Sequence, residues 1–256
     1  MGRTPRRIEP DILLKTAIAG RRPAPYNAAG HNQFQSIVRK MPDYAAQRLT
    51  MVESQIRTND VTDVRVQEAV REIPRERFVP VAKRALAYAD STVELVAGRY
   101  LLDPRTFGKL LEMAEIEPTD RILDVGCASG YSTAVLSRLG RSVIGLEEDA
   151  ELVRIASDTL PSVGCRSQVV QGKLSEGHRA AAPYDVIFVN GAVQFVPEAL
   201  LNQLSDGGRL VVVLQDGPQG RGSVFVRENG RFGSRADFDA TVPLLPGFRK
   251  PREFVF

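Results

Sequence analysis

Ten residues, Arg121-Ile-Leu-Asp-Val-Gly-Cys-Ala-Ser-Gly130, hold the pattern in this chain best suited to chemistry. An apolar run ends on the acid Asp124 and passes at once into Gly126, Ala128 and Gly130. A second apolar run, Ser142-Val-Ile-Gly-Leu-Glu147, ends on another acid. Two strand-like runs closed by acids, with a glycine-rich turn after the first, describe a cradle for a nucleoside-bearing small molecule. The second acid falls ~20 residues on, where a β-α-β unit places it. The glycine spacing excludes a dinucleotide. Such a site needs G-x-G-x-x-G, so that backbone and helix N-terminus approach a pyrophosphate. Counted from Gly126, this chain has Ala128 and Tyr131 at the second and third glycine positions. Tyr131 is bulky where helix and strand must come close. A Walker phosphate loop is excluded as well, since no Gly-Lys-Ser/Thr follows.

What remains, D-x-G-x-A-x-G, resembles the first motif of the S-adenosylmethionine-dependent methyltransferases. That resemblance implies a ligand without phosphate, one that offers ribose hydroxyls, an ammonium, a carboxylate and an adenine edge. Asp124 would reach the amino-acid end, directly or through water. Glu147 would accept hydrogen bonds from both ribose hydroxyls. Gly126, Cys127, Ala128 and Gly130 would line the cradle, with Asn190 at the end of a later strand.

The chain has 256 residues, enough for one large or two small domains, and 43% hydrophobic residues, enough for a substantial core. No apolar run approaches the ~18 residues of a membrane span. Cys127 and Cys165 give neither a disulfide framework nor a zinc spacing, which suits a reducing cytoplasm. His31 and His178 are far apart and unaccompanied, so no metal is expected. The pI near 9.0 conceals an asymmetry. Residues 1–40 hold eight Lys and Arg against Glu9 and Asp11, a balance of +6; with a chain total of +3, the remainder stands at −3. The basic character belongs to the N-terminal segment, so no nucleic-acid footprint is expected on the folded part.

Residues 1–42 read as a poorly ordered basic extension with one apolar patch at Ile12–Ala19. Three readings stay open: a flexible tail, an Arg-rich targeting peptide, or translation beginning at Met41. The apolar patch could instead form a short docking helix. From Asp43 onward a single domain is expected, with a helical region over 43–104 on the substrate side and a cofactor-binding sheet over 105–256. Tyr44, Leu49, Val52 and Ile56 recur at helical steps behind a cap at Asp43. Thr62 or Asp63 caps a second helix, which Pro74 ends. Asp103-Pro104 opens a third, whose buried side carries Phe107, Leu110, Leu111 and Met113.

The rest alternates as strands and helices: strands at Ile122–Val125, Val143–Leu146, Ser167–Val170, Tyr184–Val189 and Arg209–Leu214, and helices at Ser132–Leu139, Ala150–Leu160 and Pro197–Leu204. A turn is expected at Gly207-Gly208. A closing hairpin pairs Phe225–Arg227 with Phe238–Pro243 about Asn229-Gly230. Alternation of this kind predicts an α/β, Rossmann-like fold: a mostly parallel seven-stranded sheet with helices on both faces and an antiparallel C-terminal edge.

Four segments carry a more specific resemblance. Met51-Val-Glu-Ser-Gln-Ile-Arg57, with Val61 and Val66-Gln-Glu-Ala-Val70, is the first. Ile73-Pro-Arg-Glu-Arg-Phe-Val-Pro80, with Ala87-Tyr88-Ala-Asp90, is the second. The glycine turn with Tyr131 is the third. Pro183–Ile187 with Leu200-Leu-Asn-Gln-Leu-Ser-Asp-Gly-Gly-Arg-Leu210 is the fourth. From about Met41 to Phe256 the chain is similar to the bacterial protein-L-isoaspartate O-methyltransferases, a class I methyltransferase family. The resemblance implies transfer of a methyl group from S-adenosylmethionine to a carboxylate of damaged protein. The partner would be an isoaspartyl protein or peptide, and the setting cytoplasmic protein repair. A small carboxylate or hydroxyl acceptor, or a catalytically idle cofactor-binding protein, stays open.

Two departures from the family pattern matter. The family's G-Q-T-x-S-Q-P becomes Gly98-Arg-Tyr-Leu-Leu-Asp-Pro104 here, with Leu102 at the position of the substrate-orienting Ser and Asp103 in place of Gln. Leucine has no hydrogen-bond donor. Arg99, which could pair bidentately with a carboxylate, and Tyr100, which could supply a hydroxyl, are with Leu102 the candidate positions on the acceptor side. The family's G-D-G, whose Asp binds the adenine amino group, is Gly172-Lys173-Leu174. Adenine would then rest on backbone groups near Lys173 and Leu174 and on apolar packing.

Overall fold

The structure is a computed structural model that describes residues 42–250; the extension expected over 1–42 lies, apart from Pro42, outside the described residues. Helix α1 (Tyr44–Met51) starts at Asp43, whose carboxylate accepts from Ala46 N at 3.0 Å. It runs on as a π-helical segment, Val52–Ile56, rather than the uninterrupted helix that the periodicity predicts. Thr50, Ser54 and Thr58 each donate their hydroxyl to the carbonyl four residues back. Such back-bonding perturbs the i→i−4 ladder. Helix α2 (Val64–Glu72) is capped by Asp63. Short 3₁₀ turns then lead into a two-stranded hairpin, β1 (Val93–Val96) and β2 (Arg99–Leu101). Helix α3 (Pro104–Ala114) follows, with Asp103 as its cap, Pro104 in its first turn and the four expected apolar residues buried.

The main sheet contains β3 (Arg121–Val125), β4 (Ser142–Glu147), β5 (Gln168–Gln171), β6 (Tyr184–Val193), β7 (Leu204–Leu214), β8 (Gly220–Glu228) and β9 (Arg231–Ala240). Their order is β5-β4-β3-β6-β7-β8-β9. The first five strands are parallel, and β8 and β9 add antiparallel pairs. Helices α4 (Tyr131–Leu136), α5 (Ala150–Ser162) and α6 (Glu198–Leu201) connect the parallel strands. This is the mostly parallel, seven-stranded Rossmann-like sheet that the alternation predicts and that the resemblance to class I methyltransferases implies, closed by the hairpin about Asn229-Gly230.

Some boundaries differ. β7 begins at Leu204, so Gly207-Gly208 lies inside it. The register with β6 shifts between Tyr184 and Val186, which lets the positive φ of Gly207 bulge the strand instead of ending it. Helix α6 is one turn long, because the strand takes over at Leu204. Helix α4 stops at Leu136, and β8 starts five residues before Phe225.

The central strands β3, β6 and β7 are buried on both faces. Ile122, Val186, Phe188, Val211 and Val213 pack into one apolar layer with α2 and α3. Leu123, Val125, Ile187, Val189, Leu210 and Val212 pack into the other with Leu200 of α6. Strands covered on both sides read as continuous apolar runs, and the period of two along each strand assigns every residue to its layer. From β3 the chain goes out through β4 to β5 and returns on the other side of β3 as β6. The crevice beyond the C-terminal ends of β3 and β6 is therefore a topological switch point, where open α/β sheets bind ligands.

Candidate active site

The glycine turn leaves β3 directly into this crevice. Gly126 N and Cys127 N both donate to Leu146 O, at 2.8 and 3.2 Å, which folds the turn against β4. Gly126 (φ +75°) and Gly130 (φ +95°) occupy left-handed conformations. A Cβ on Gly130 would also stand 3.2 Å from Ala156 Cβ of α5, so the close approach of helix to turn needs glycine twice over. Tyr131 does not enter the crevice. It is buried behind the turn between Phe78 and Phe107, with the Arg75 guanidinium 4.9 Å from its ring centroid. Ser129 Oγ donates to Phe78 O at 2.6 Å, which ties the turn to the Ile73–Pro80 segment.

Glu147 ends β4 beside the turn. Its carboxylate accepts three backbone bonds: Ala128 N on Oε2 at 2.8 Å, and Glu148 N and Asp149 N on Oε1 at 2.9 and 3.1 Å. Those donors fix its orientation. The remaining acceptor positions are taken by Arg99, whose Nη1 meets Oε1 at 2.6 Å and Nη2 meets Oε2 at 2.7 Å. Arg99 Nη2 also lies 3.3 Å from Gly126 O. Arg99 is 5% and Glu147 0% exposed.

Asp124 is fully buried at the end of β3. Its Oδ2 accepts from Ser132 Oγ (2.7 Å) and Thr133 Oγ1 (2.6 Å) at the start of α4, and its Oδ1 from Asn190 Nδ2 on β6. Desolvation pushes its pKa up to about 7; the Thr133 and Ser132 hydroxyls and Asn190 hold it down, while the nearby charge of Glu147 pushes it up. Cys127 is buried, and desolvation with the charges of Asp124 and Glu147 keeps its thiol protonated. The structure thus brings together Asp124, Asn190, Glu147, Arg99 and the turn Gly126–Gly130.

Other candidate residues fall elsewhere. Leu102 is 3% exposed in the core layer of α2 and α3, and presents only its carbonyl, to Arg75 Nη2. Tyr100 is half-buried on β2, opposite Glu94. Lys173 is exposed and pairs with Glu176 at 3.0 Å, whereas Leu174 is buried under the sheet. Among the described residues no group of His, Cys, Asp and Glu could hold a metal ion, and no helix is long and apolar enough to cross a membrane.

Two contributors escaped the sequence. Arg75 is wholly buried and donates from Nε to Ala87 O at 2.6 Å and from Nη2 to Leu102 O, which pins both ends of the segment bearing the β1–β2 hairpin. The segment after β9 runs past the end of β6: Ala192 N donates to Pro243 O (3.0 Å), Leu245 N to Ala192 O (2.9 Å) and Gln194 N to Phe248 O (3.0 Å). It lays Leu245 over the turn, with its methyls 3.2–3.3 Å from where a Cβ on Gly126 would lie. Nothing in the local pattern of Pro243–Phe248 signals that contact.

The model of the family described as protein-L-isoaspartate(D-aspartate) O-methyltransferase matches residues 46–241. The protein-L-isoaspartate O-methyltransferase of Methylorubrum extorquens (strain PA1) is 37% identical over 212 residues, covering 81% of this chain and 92% of its own length. That of Koribacter versatilis (strain Ellin345) is 38% identical over 170 residues, covering 66% and 77%. A solved protein-L-isoaspartate O-methyltransferase superposes with a TM-score of 0.68 at 25% identity, over 78% of this chain and 66% of that one. A putative protein-L-isoaspartate O-methyltransferase from Plasmodium falciparum, solved with S-adenosyl-L-homocysteine, shares the fold with a TM-score of 0.69 at 19% identity, over 77% and 97%. With the family model spanning most of its length, the chain belongs to the protein-L-isoaspartate (D-aspartate) O-methyltransferase family.

Proposed function

We propose that this chain is an S-adenosylmethionine-dependent O-methyltransferase whose acceptor is the side-chain carboxylate of isoaspartyl residues in damaged protein, acting in the cytoplasm. The observation that carries the reading is Glu147, a carboxylate oriented by three backbone amides at the end of β4, beside a glycine turn at the switch point. The residues fit the cofactor in kind. Glu147 suits a ribose diol. The turn has no side chain at Gly126 or Gly130, and Asp124 with Asn190 closes its inner end.

When bound, the cofactor supplies an electrophilic methyl on a sulfonium. The acceptor is a carboxylate, ionised at neutral pH with a pKa near ~4, so no general base is required. The work left to the protein is to hold the acceptor oxygen in line and to exclude water. Arg99, whose guanidinium lies against the turn, and Tyr100, the next residue of β2, are the proposed acceptor-side groups. Gly126, Cys127, Ala128, Gly130, Glu147 and the backbone at Lys173-Leu174 are the proposed cofactor-side ones.

A second reading rests on Leu102. Its side chain is committed to the core where the family carries a hydroxyl, which favours a methyltransferase with another carboxyl or hydroxyl acceptor, a small molecule included. Labelled methyl transfer to an isoaspartyl peptide and to its aspartyl counterpart, with S-adenosylhomocysteine binding measured in parallel, separates the cases. Methylation of the isoaspartyl peptide alone supports the proposal. Cofactor binding without transfer to either peptide moves the reading to the other acceptor. No binding at millimolar ligand, with or without the peptides, refutes both.

A further inference from the structure

Glu147 meets more donors than a carboxylate ordinarily satisfies. Its two oxygens offer about four acceptor sites, and three backbone amides together with both terminal nitrogens of Arg99 already fill them. The amides hold the inner side and cannot leave without unfolding the glycine turn and the connection that follows β4. A ribose diol can therefore reach Glu147 only by taking the places of Arg99. That exchange is open to Arg99 because of where it stands. It is the first residue of β2, next to Gly98 (φ +75°), around which there is open space, so its long side chain reaches in from a hairpin tip.

Charge decides when the exchange is favourable. Separating a buried ion pair leaves each charge uncompensated. The diol is neutral and satisfies Glu147 by hydrogen bonds, but it leaves the guanidinium with Gly126 O as its remaining partner. The proposed methyl donor is itself a net cation, so a second cation beside it is repelled. The component of the reaction that brings a negative charge to this place is the acceptor carboxylate, and a guanidinium matches it bidentately.

We propose that Arg99 is a carboxylate-exchanging residue: it rests on Glu147 in the unliganded chain and transfers to the acceptor carboxylate in the ternary complex, so that acceptor and cofactor bind cooperatively. The proposal rests on the methyltransferase reading above. It also accounts for turnover. Methyl transfer forms one O–CH3 bond and breaks one S–CH3 bond. The sulfonium charge and the carboxylate charge cancel, which leaves a thioether and an ester, and no proton moves. The ester no longer holds a guanidinium. Arg99 then returns to Glu147 and displaces the ribose of the spent cofactor.

The test is calorimetric titration of sinefungin, which carries an amine cation near the place of the sulfonium, into the full chain, with and without saturating isoaspartyl peptide, for the native protein, Arg99→Gln and Arg99→Lys. In the native protein the peptide should tighten sinefungin about tenfold or more, within the range of ordinary site-to-site coupling. Arg99→Gln should bind sinefungin alone at least about tenfold more tightly than the native protein, and the peptide should no longer change that affinity. Arg99→Lys, with a point charge in place of a fork, should fall between them, and it guards against a folding defect peculiar to the glutamine variant; circular dichroism melts confirm that both are folded. Equal sinefungin affinity in the native protein and Arg99→Gln, or no effect of the peptide on the native protein, overturns the exchange and leaves the methyltransferase reading intact. Binding to Arg99→Gln but not to the native protein without peptide supports it in its strongest form. Binding to none of the three, with or without peptide, refutes the methyltransferase reading and this proposal with it.

Discussion

Replacing Thr133 by Val isolates one hydrogen bond in the buried end of the site. Thr133 Oγ1 donates to Asp124 Oδ2 at 2.6 Å, and both side chains are fully buried. Valine keeps the shape and deletes the donor. A hydrogen bond to an ionised group contributes about 1.5–3 kcal/mol and one between neutral groups about 0.5–1.5 kcal/mol. The variant therefore disfavours ionised Asp124 by about 1–2 kcal/mol more than the protonated form, which moves its pKa up by roughly one unit. In the native protein that pKa, about 7, already lies above the ordinary aspartate value of 3.8, mainly through desolvation. The folded state thus holds the proton more tightly than the unfolded one. Stability from this group is complete below about pH 4 and falls as pH rises toward 7, by roughly 4 kcal/mol in all. In Thr133→Val the fall continues for about one further unit. Urea unfolding of both proteins from pH 5 to 9 should show a penalty of about 0.5–1.5 kcal/mol at pH 5 that grows to about 1.5–3 kcal/mol at pH 9. A penalty constant across that range, or one that shrinks toward pH 9, refutes the assignment of Asp124 as a buried carboxyl titrating near neutrality.

Three further substitutions probe the frame around the site. Arg75→Met keeps an apolar stem but leaves the carbonyls of Ala87 and Leu102 without their guanidinium donors. At about 1–3 kcal/mol for each, less the relief of a buried charge, the denaturation midpoint should correspond to a loss of about 2–4 kcal/mol, with faster amide exchange in β2. Gly126→Ala forces a side chain into a left-handed conformation and brings its Cβ to 3.2–3.3 Å from the Leu245 methyls. A loss of about 1–2 kcal/mol by thermal unfolding is expected, and an unchanged melting curve would contradict the tight cover over the turn. Leu102→Ser removes a buried apolar side chain and desolvates a hydroxyl, for about 3–5 kcal/mol together. In the fraction that stays folded, methylation of an isoaspartyl peptide should rise; an unchanged rate per folded molecule would remove the missing hydroxyl as a determinant of acceptor choice.

The parts of the molecule legible in the sequence are those written locally. Asp43, Asp63 and Asp103 cap the helices they precede because a cap needs only its own carboxylate and an amide two or three residues on. The turn after Asp124 and the position of Glu147 follow from strand length and a short crossover, and the parallel order follows from the alternation of apolar runs. Arg99 on Glu147 spans 48 residues, and no local pattern marks it; from the sequence Arg99 has an acceptor-side role only. The π segment after α1 depends on hydroxyls bonding backward, which hydrophobic periodicity does not register. Gly207-Gly208 looks like a turn because bulges and turns draw on the same residue type. Tyr131 counted against a dinucleotide by its size alone. In the fold it fills the space between Phe78, Phe107 and the Arg75 guanidinium.

The cover over the turn has a consequence of its own. Leu245 belongs to a segment hydrogen-bonded to the end of β6, yet it adds no strand to the main sheet and no residue to the ligand-facing backbone. Phe248 of the same segment is fully buried in the layer of Leu210 and Val212 beside Leu245, so a cut after Val242 would lift Leu245 away from Gly126 and open that layer as well. Access to the cradle and integrity of the sheet are thus tied together through one short segment. A substitution that loosens residues 243–248 should therefore weaken the fold as it uncovers the turn, since losing a buried Phe such as Phe248 costs about 3–5 kcal/mol.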